Sequence, residues 1–300
     1  MIFEYIKAIF LGIIEGVTEW LPVSSTGHII LFDELFPLTV GADVHPDFPS
    51  EFMSMFEVVI QLGAIMAVVV LFWDKLWPFS AKKTAIERKN VWRTWFKVCF
   101  ASIPAAAVGI VLDKIIEKMT GKDIDGWLYN GTTVALMLII YGVLFIIVEK
   151  INKNRTPNIH NIQQISYKYA FLMGIFQMLA IIPGTSRSGA TILGAMLIGF
   201  SRTCGAEFSF FMGIPAMVGG SLVKALGFFE FVGGENSLGA SLNVPVDAYI
   251  ILALATVIAF AVSMISIKFL MNFVKKHSFA AFGIYRIVLG AIVLIYFSLR

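Results

Sequence analysis

The sequence is poor in charge and nearly free of cysteine. Only 14% of its 300 residues are charged, against about 25% in a typical soluble domain. The only cysteines, Cys99 and Cys204, lie far apart in apolar stretches, so we interpret both as small hydrophobes without a disulfide or metal role. The low charge excludes an ordinary soluble globule, and we expect no nucleic-acid partner.

Two long runs, 126–148 and 248–267, lack charge altogether. Each is long enough to cross a hydrocarbon core, which takes about 20 apolar residues. The sequence therefore predicts an all-α polytopic membrane protein, with a single integral membrane domain over residues 1–300. Its apolar segments are 2–32, 52–77, 94–112, 127–148, 167–200, 204–227, 246–273 and 279–299.

Two loops lack Lys and Arg. The loop 33–51 carries five acidic residues, and the loop 228–247 carries three. In contrast, the loops 80–97 and 149–168 and the turn 268–278 are rich in Lys and Arg. Short loops of that kind stay in the cytoplasm. The charge distribution thus predicts that the two acidic loops lie outside and the three basic regions inside.

This sidedness makes segment 167–200 begin and end in the cytoplasm, so we expect it to enter the membrane and return. Segment 2–32 is interrupted by Pro22 and Gly27 and can form a similar hairpin from the outside. Six transmembrane helices plus two re-entrant helical hairpins then satisfy the charge of every loop.

The two predicted hairpins share a weak sequence similarity. LGIIEG at 11–16 aligns with MGIFQM at 173–178, and SSTG at 24–27 aligns with SRSG at 186–189. Because charge places the two copies on opposite sides of the membrane, the pattern predicts an inverted-topology repeat whose broken helices meet near the midplane. The repeats span about 1–148 and about 166–300.

The first hairpin carries the stretch EGVTEWLPVSSTGH at 15–28. Glu15 and Glu19 are four residues apart, so they share a helix face, and charges inside membrane segments are rare and usually functional. Pro22 is expected to end that helix. A hydroxyl-rich turn follows, and we predict that a new helix begins near His28. Its free N–H groups suit a phosphate.

The second hairpin repeats this design in PGTSRSGAT at 183–191, where Arg187 adds a fork that can hold phosphate oxygens in pairs. We expect Glu57, Gln61 and Glu207 to have structural or supporting roles. The candidate catalytic residues are Glu15, Glu19, Ser25, His28 and Arg187. The candidate substrate-binding residues are Ser24, Thr26, Gly184, Thr185, Ser186, Ser188 and Thr191.

Several roles stay open. We interpret Ser25 as the nucleophile and His28 as its base, with direct attack by His28 or by water as alternatives. Glu15 and Glu19 either hold a divalent cation, Mg²⁺ or Ca²⁺, or orient the nucleophile and its base.

EGVTEWLPVSSTGH and PGTSRSGATI resemble the two signature motifs of the undecaprenyl-diphosphate phosphatase family, the bacitracin-resistance type, and FEVVIQLGAI at 56–65 is similar to that family too. The resemblance implies re-entrant hairpins and six crossings. It also implies hydrolysis of undecaprenyl diphosphate to undecaprenyl phosphate and inorganic phosphate, which recycles the lipid carrier of cell-wall synthesis. By the same resemblance, Glu15, Glu19, Ser25, His28 and Arg187 occupy the family's functional positions.

The resemblance further implies a bacterial inner membrane protein with its active site facing the periplasm or cell exterior. The expected partners are the polyprenyl diphosphate substrate and membrane lipids, and a homodimer is left open. The alternative function is a secondary transporter or flippase for a phosphorylated lipid, because broken helices in inverted repeats are typical of transporters.

Overall fold

The computed structural model describes residues 1–121, 128, 130–234 and 239–299. Within these ranges the chain is helical, with one isolated bridge between Ile159 and Phe200 and no longer strand. The helices are α1 (Ile2–Thr18), α2 (Ser25–Leu35), α3 (Phe48–Leu71), α4 (Trp73–Leu76), α5 (Ala85–Thr120), α6 (Gly131–Asn152), α7 (Tyr167–Met178), α8 (Arg187–Leu197), α9 (Arg202–Gly233), α10 (Val246–Lys276) and α11 (Ala280–Ser298). Short 3₁₀ turns cover Ile162–Gln164 and Leu179–Ile181.

Six of the described helices, α3, α5, α6, α9, α10 and α11, are long and apolar enough to cross a bilayer by length and composition. This confirms the predicted all-α class and the predicted number of long apolar helices. The shorter helices α1, α7 and α8 lie in the two segments that were predicted as hairpins, and α2 begins in the first of them and extends three residues beyond its predicted end, to Leu35. Trp127, at the start of one predicted segment, and residues 235–238 of the acidic loop lie outside the described residues.

Each short helix pair is interrupted by a proline-containing stretch. After the first, α2 begins at Ser25 rather than near His28 as predicted, because the hydroxyl of Ser24 accepts the N–H of Gly27 at 3.3 Å and caps the helix three residues earlier. After the second, the hydroxyl of Ser186 accepts the N–H of Gly189 at 3.1 Å and caps α8. The two helices that follow the breaks therefore start in the same way.

Glycines bring the long helices into close contact. A Cβ on Gly142 of α6 would lie 2.7 Å from the carbonyl oxygen of Gly283 on α11, and one on Gly12 of α1 would lie 2.6 Å from the carbonyl oxygen of Ala255 on α10. Only a residue without a side chain allows these approaches, which are typical of helix packing in membranes. These close contacts hold α1 against α10 and α11 against α6, and both α1 and α11 carry residues of the site described below.

The outer surface of the long helices is apolar. Ile103 of α5, Val223 of α9 and Ile265 of α10 are 56%, 69% and 70% exposed. A soluble protein rarely leaves such large apolar surfaces in contact with water. These faces are suited to contact with lipid tails, as the low charge of the sequence predicts.

Candidate active site

The two helix breaks meet at the carboxylate of Glu19, which follows the last residue of α1. Ser25, the first residue of α2, donates its hydroxyl to Oε2 of Glu19 at 2.9 Å. Arg187, the first residue of α8, donates from Nη2 at 2.9 Å and from Nε at 3.3 Å to Oε1. One carboxylate thus accepts hydrogen bonds from both breaks, and the structure brings together three of the five predicted catalytic residues.

The backbone at both breaks has an unusual conformation. Ser24 and Ser186 have φ angles of 74° and 70°, and they are the only described residues other than glycine with a positive φ. Such a conformation costs on the order of 1–3 kcal/mol in a residue with a side chain, and it is concentrated at functional sites. Each serine directly precedes a residue that binds Glu19, so this backbone conformation places Ser25 and Arg187 against the carboxylate.

The guanidinium of Arg187 is enclosed on several sides. Its Nη1 donates to the carbonyl oxygen of Ser209 at 2.7 Å, and its Cζ lies 5.7 Å from the ring centre of Trp20. A guanidinium has five N–H groups, and the contacts with Glu19 and Ser209 use three of them. Among the described contacts one N–H remains on each terminal nitrogen, which leaves Arg187 with capacity for two further acceptors.

Glu15 is fully buried, and neither of its carboxylate oxygens has a hydrogen-bond partner among the described residues. Its carboxylate experiences the electrostatic field of three charged groups, Glu19, Glu57 and Arg187. A buried carboxylate without partners is costly. Glu15 is therefore the group in this site with the most unused capacity to bind a cation or a polar ligand.

His28 has different partners from those predicted. Its Nδ1 lies 2.7 Å from the carbonyl oxygen of Ser24, and because a carbonyl only accepts, Nδ1 carries a proton. Its Nε2 lies 2.7 Å from the hydroxyl of Tyr285. The described hydrogen bonds pair the hydroxyl of Ser25 with Glu19. The prediction that His28 is the base that contacts Ser25 is corrected accordingly, since the Nδ1 proton of His28 is directed to the main chain.

The predicted substrate-binding residues have varied surroundings. Ser188 donates to the main-chain carbonyl of Glu19 at 2.9 Å and so joins the two breaks. Thr191 is buried, donates to the carbonyl of Arg187 at 2.8 Å and lies 2.6 Å from the hydroxyl of Ser209. These contacts give Ser188 and Thr191 supporting roles. Thr26 and Ser186 are only partly buried beside the break.

Glu207 also has the kind of role expected of it. Lys75 donates to both of its carboxylate oxygens at 2.8 Å. This ion pair joins the chain around α4 to the start of α9 and involves none of the residues that contact Glu19. We therefore treat Glu207 as a membrane glutamate that lies outside the site.

Arg286 on α11 is a residue of the site that the sequence analysis missed. It is fully buried, and it donates from Nη1 to the carbonyl of Pro22 at 3.2 Å. From Nη2 it donates to the carbonyls of Gly184 at 2.7 Å and Thr185 at 3.0 Å. It thus joins the main chains of both breaks. The available signal was a lone charge inside an apolar helix, which is rare in membranes.

Comparison with known proteins identifies the family. The family model described as bacitracin resistance protein BacA matches residues 8–292. The chain belongs to the BacA family. It is 51% identical over 290 residues to an undecaprenyl-diphosphatase of Enterococcus faecalis, which covers 97% of this chain and 96% of that relative. It is 50% identical over 294 residues to one of Acetivibrio thermocellus, with 98% of each chain covered.

A third undecaprenyl-diphosphatase, from Desulfitobacterium hafniense, is 49% identical over 299 residues, with 99% of this chain and 97% of the relative covered. The resemblance drawn from the two motifs is confirmed by these matches. Family membership and the six long apolar helices together identify a multi-pass membrane protein.

Proposed function

We propose that the chain hydrolyses undecaprenyl diphosphate to undecaprenyl phosphate and inorganic phosphate, and so recycles the lipid carrier of cell-wall synthesis. The observation that carries the proposal is the carboxylate of Glu19, which contacts the hydroxyl of Ser25 on one oxygen and the guanidinium of Arg187 on the other. A nucleophile, a proton acceptor and a phosphate-binding fork are thereby held together. The names of the relatives support the same activity.

The diphosphate is expected to lie between the N-termini of α2 and α8. Both helices begin at the site with their first N–H groups and the positive end of the helix dipole. The two remaining N–H groups of Arg187 would hold oxygens of the terminal phosphate. The lipid chain would leave the site along the apolar surface of the neighbouring helices.

Ser25 is our proposed nucleophile. Its Oγ forms a bond to the terminal phosphorus while the bond from that phosphorus to the bridging oxygen breaks, and undecaprenyl phosphate leaves with the bridging oxygen. The hydroxyl proton passes to Oε2 of Glu19, which it already contacts. In the second step, the oxygen of a water molecule forms a bond to phosphorus while the bond from phosphorus to Oγ of Ser25 breaks, and inorganic phosphate leaves. Nε2 of His28 takes a proton from the water, and Glu19 returns its proton to Oγ of Ser25.

A divalent cation is part of the proposal. Among the described residues no three His, Cys, Asp or Glu side chains form a ligand cluster, so the protein itself offers two carboxylates rather than a closed cage. The unpartnered oxygens of Glu15 fit a hard cation such as Mg²⁺, which often completes its shell with substrate phosphates. Glu15 would hold it while Glu19 serves as the proton acceptor, and the charge of the cation would offset the charge that develops on the anhydride oxygens.

The architecture we propose has two re-entrant hairpins, formed by α1–α2 and α7–α8, in inverted repeats of about 1–148 and 166–300. It is supported by the matching serine caps with positive φ at the two breaks and by the distribution of Lys and Arg. As the resemblance to the family implies, we place the protein in the bacterial inner membrane with its site open to the periplasm or exterior.

Cysteine labelling in intact cells tests this topology. Cysteines would be introduced singly at Ser80 and at Ser241, after Cys99 and Cys204 have been replaced by serine. Ser237 in the same acidic loop lies outside the described residues, so Ser241 is preferred. An impermeant maleimide should label the cysteine at 241 before lysis and the one at 80 only after lysis. Labelling of both from one side would contradict the six-crossing topology.

The activity itself is tested with purified protein in detergent, where no two sides exist. We expect release of inorganic phosphate from undecaprenyl diphosphate, with the monophosphate lipid as the other product. Glu19→Gln should abolish it, whereas Glu207→Gln should retain it because Glu207 pairs with Lys75 outside the site. Binding of the lipid without phosphate release by the wild type would instead favour the transporter or flippase, whose broken helices have a similar layout.

A further inference from the structure

A large basic cavity lies at the opposite end of α8 from Arg187. Its volume is about 1140 Å³, and it is lined by the ends of α6 and α10, the starts of α9 and α11 and the chain at 153–158. Leu197, the last residue of α8, is one of its lining residues. An α-helix of this length spans about 16 Å, so the cavity is separate from the candidate active site.

The cavity carries unbalanced positive charge. Four basic side chains line it and have no ion pair among the described residues: Lys150, Lys153, Arg155 and Lys275. Among the described residues that line it, Glu149 is the one acidic residue. Its two oxygens accept from Arg202, and one of them also accepts the N–H of Phe279 at 2.7 Å. Glu149 is therefore already neutralised and does not offset the four free cations.

The sign of the charge alone would follow from the retention of Lys and Arg in the cytoplasm. That rule does not explain why the cations surround a cavity of this size rather than lie spread over the surface. Lys82 and Arg88 lie in the basic loop 80–97, which is predicted on the same side of the membrane, but they do not line the cavity. The concavity is the second observation, and it provides room for a bound molecule.

The walls of the cavity are partly apolar. Ile146, Leu197 and Ile198 line it together with the cations and with hydroxyl and amide groups. Polar donors such as Ser201, Ser278 and Asn154 surround the space as well. A site with cations, polar donors and an apolar wall suits a phosphate group that is attached to an apolar chain, since basic pockets between membrane helices bind phosphate headgroups.

We propose that this cavity is a second anion site, distinct from the site at Arg187, and that it binds a phosphate group. The group belongs either to the headgroup of a membrane lipid or to free phosphate. On the proposed topology the cavity opens to the cytoplasm. The proposal does not depend on hydrolysis at the other end of α8.

The test uses the full chain and a double variant, Lys153→Ala with Arg155→Ala. The matched control is Lys82→Ala with Arg88→Ala, which removes the same charges from exposed positions outside the cavity. For the lipid, protein from nanodiscs of phosphatidylcholine with a small share of phosphatidic acid is examined by native mass spectrometry. For free phosphate, thermal unfolding in detergent is compared in sodium phosphate and in sodium chloride of equal ionic strength.

We expect the wild type and the control to retain phosphatidic acid in preference to phosphatidylcholine. In the cavity variant, the ratio of bound phosphatidic acid to bound phosphatidylcholine should fall at least about tenfold, because this variant lacks two of the four free cations. A phosphate-specific rise in unfolding temperature that only the cavity variant loses would assign free phosphate instead. Equal losses in both double variants, or no binding of either probe by the wild type, would overturn the proposal.

Phosphate release in detergent separates this site from the proposed activity. The cavity variant should keep the wild-type rate, because its substituted residues lie beyond α8 from Arg187 and Glu19. Size-exclusion chromatography checks that it remains folded. An inactive wild type that still binds phosphatidic acid through Lys153 and Arg155 would contradict the proposed hydrolysis and leave the second anion site supported.

Discussion

Gly213 on α9 determines where the guanidinium of Arg187 can lie. A Cβ at this position would be 2.9 Å from Cζ, Nη1 and Nη2 of Arg187, whereas non-bonded heavy atoms prefer about 3.5–4.0 Å. In Gly213→Ala the guanidinium must therefore move by roughly 0.5 Å or more. It is an otherwise flexible group, but Glu19 and the carbonyl of Ser209 hold it in place.

This movement should break at least one charge-assisted hydrogen bond of Arg187. Such a bond contributes about 1.5–3 kcal/mol, and each 1.36 kcal/mol corresponds to a tenfold change in rate. We therefore expect kcat/KM for phosphate release to fall roughly 10- to 150-fold in Gly213→Ala. The assay is phosphate release from a polyprenyl diphosphate in detergent, with the protein concentration corrected for folded material.

Gly219→Ala is the matched control, since Gly219 lies on the same helix and a Cβ there would have no atom of the described chain within 4 Å. Both substitutions improve intrinsic helix propensity by up to about 1 kcal/mol, so a loss of helix stability cannot explain a slower Gly213→Ala. A wild-type rate for Gly213→Ala would refute the reasoning. In a double variant with Arg187→Lys, the effect of Gly213→Ala should shrink, because both changes act on one side chain.

Three further substitutions test the site. Arg187→Lys keeps the charge but loses the paired geometry, so phosphate release should fall at least about tenfold, and a near wild-type rate would contradict its role. Ser25→Ala should bind substrate yet be nearly inactive, and acid quenching of the wild type should trap a phosphoserine. If Ser25→Ala still turns over substrate and the separate variant His28→Ala is inactive, the attack is assigned to water or to His28. Arg286→Leu leaves three main-chain carbonyls without their donor, so the thermal midpoint and the rate should fall together, and an unchanged midpoint would argue against its bridging role.

The sequence was a good guide to the helices and to which motifs meet. The apolar segments and the charge of the loops between them predicted six crossings, and the structure has six long apolar helices within its described residues. The alignment of SSTG with SRSG predicted that the two breaks are equivalent. In the structure Ser24 and Ser186 cap their helices alike, and Ser25 and Arg187 both bind Glu19.

The partners of single side chains were less predictable. The start of α2 depends on the φ angle of Ser24, which local propensity does not favour. The pairing of Ser25 with Glu19 rather than His28 depends on the direction in which α1 ends. Arg286 binds only carbonyl groups in its described hydrogen bonds, and because every residue has a carbonyl, such a partner leaves no pattern in the sequence.

The charges of the site explain why carboxylates belong in a place that binds phosphate. The positive charge of Arg187 is paired with the carboxylate of Glu19, and both side chains are nearly buried. A low-dielectric interior tolerates such charges when they are balanced. Glu19 therefore holds Arg187 in position before substrate binds. A diphosphate would add two or more negative charges to this balanced set, and the unpartnered oxygens of Glu15 are where a divalent cation would restore the balance.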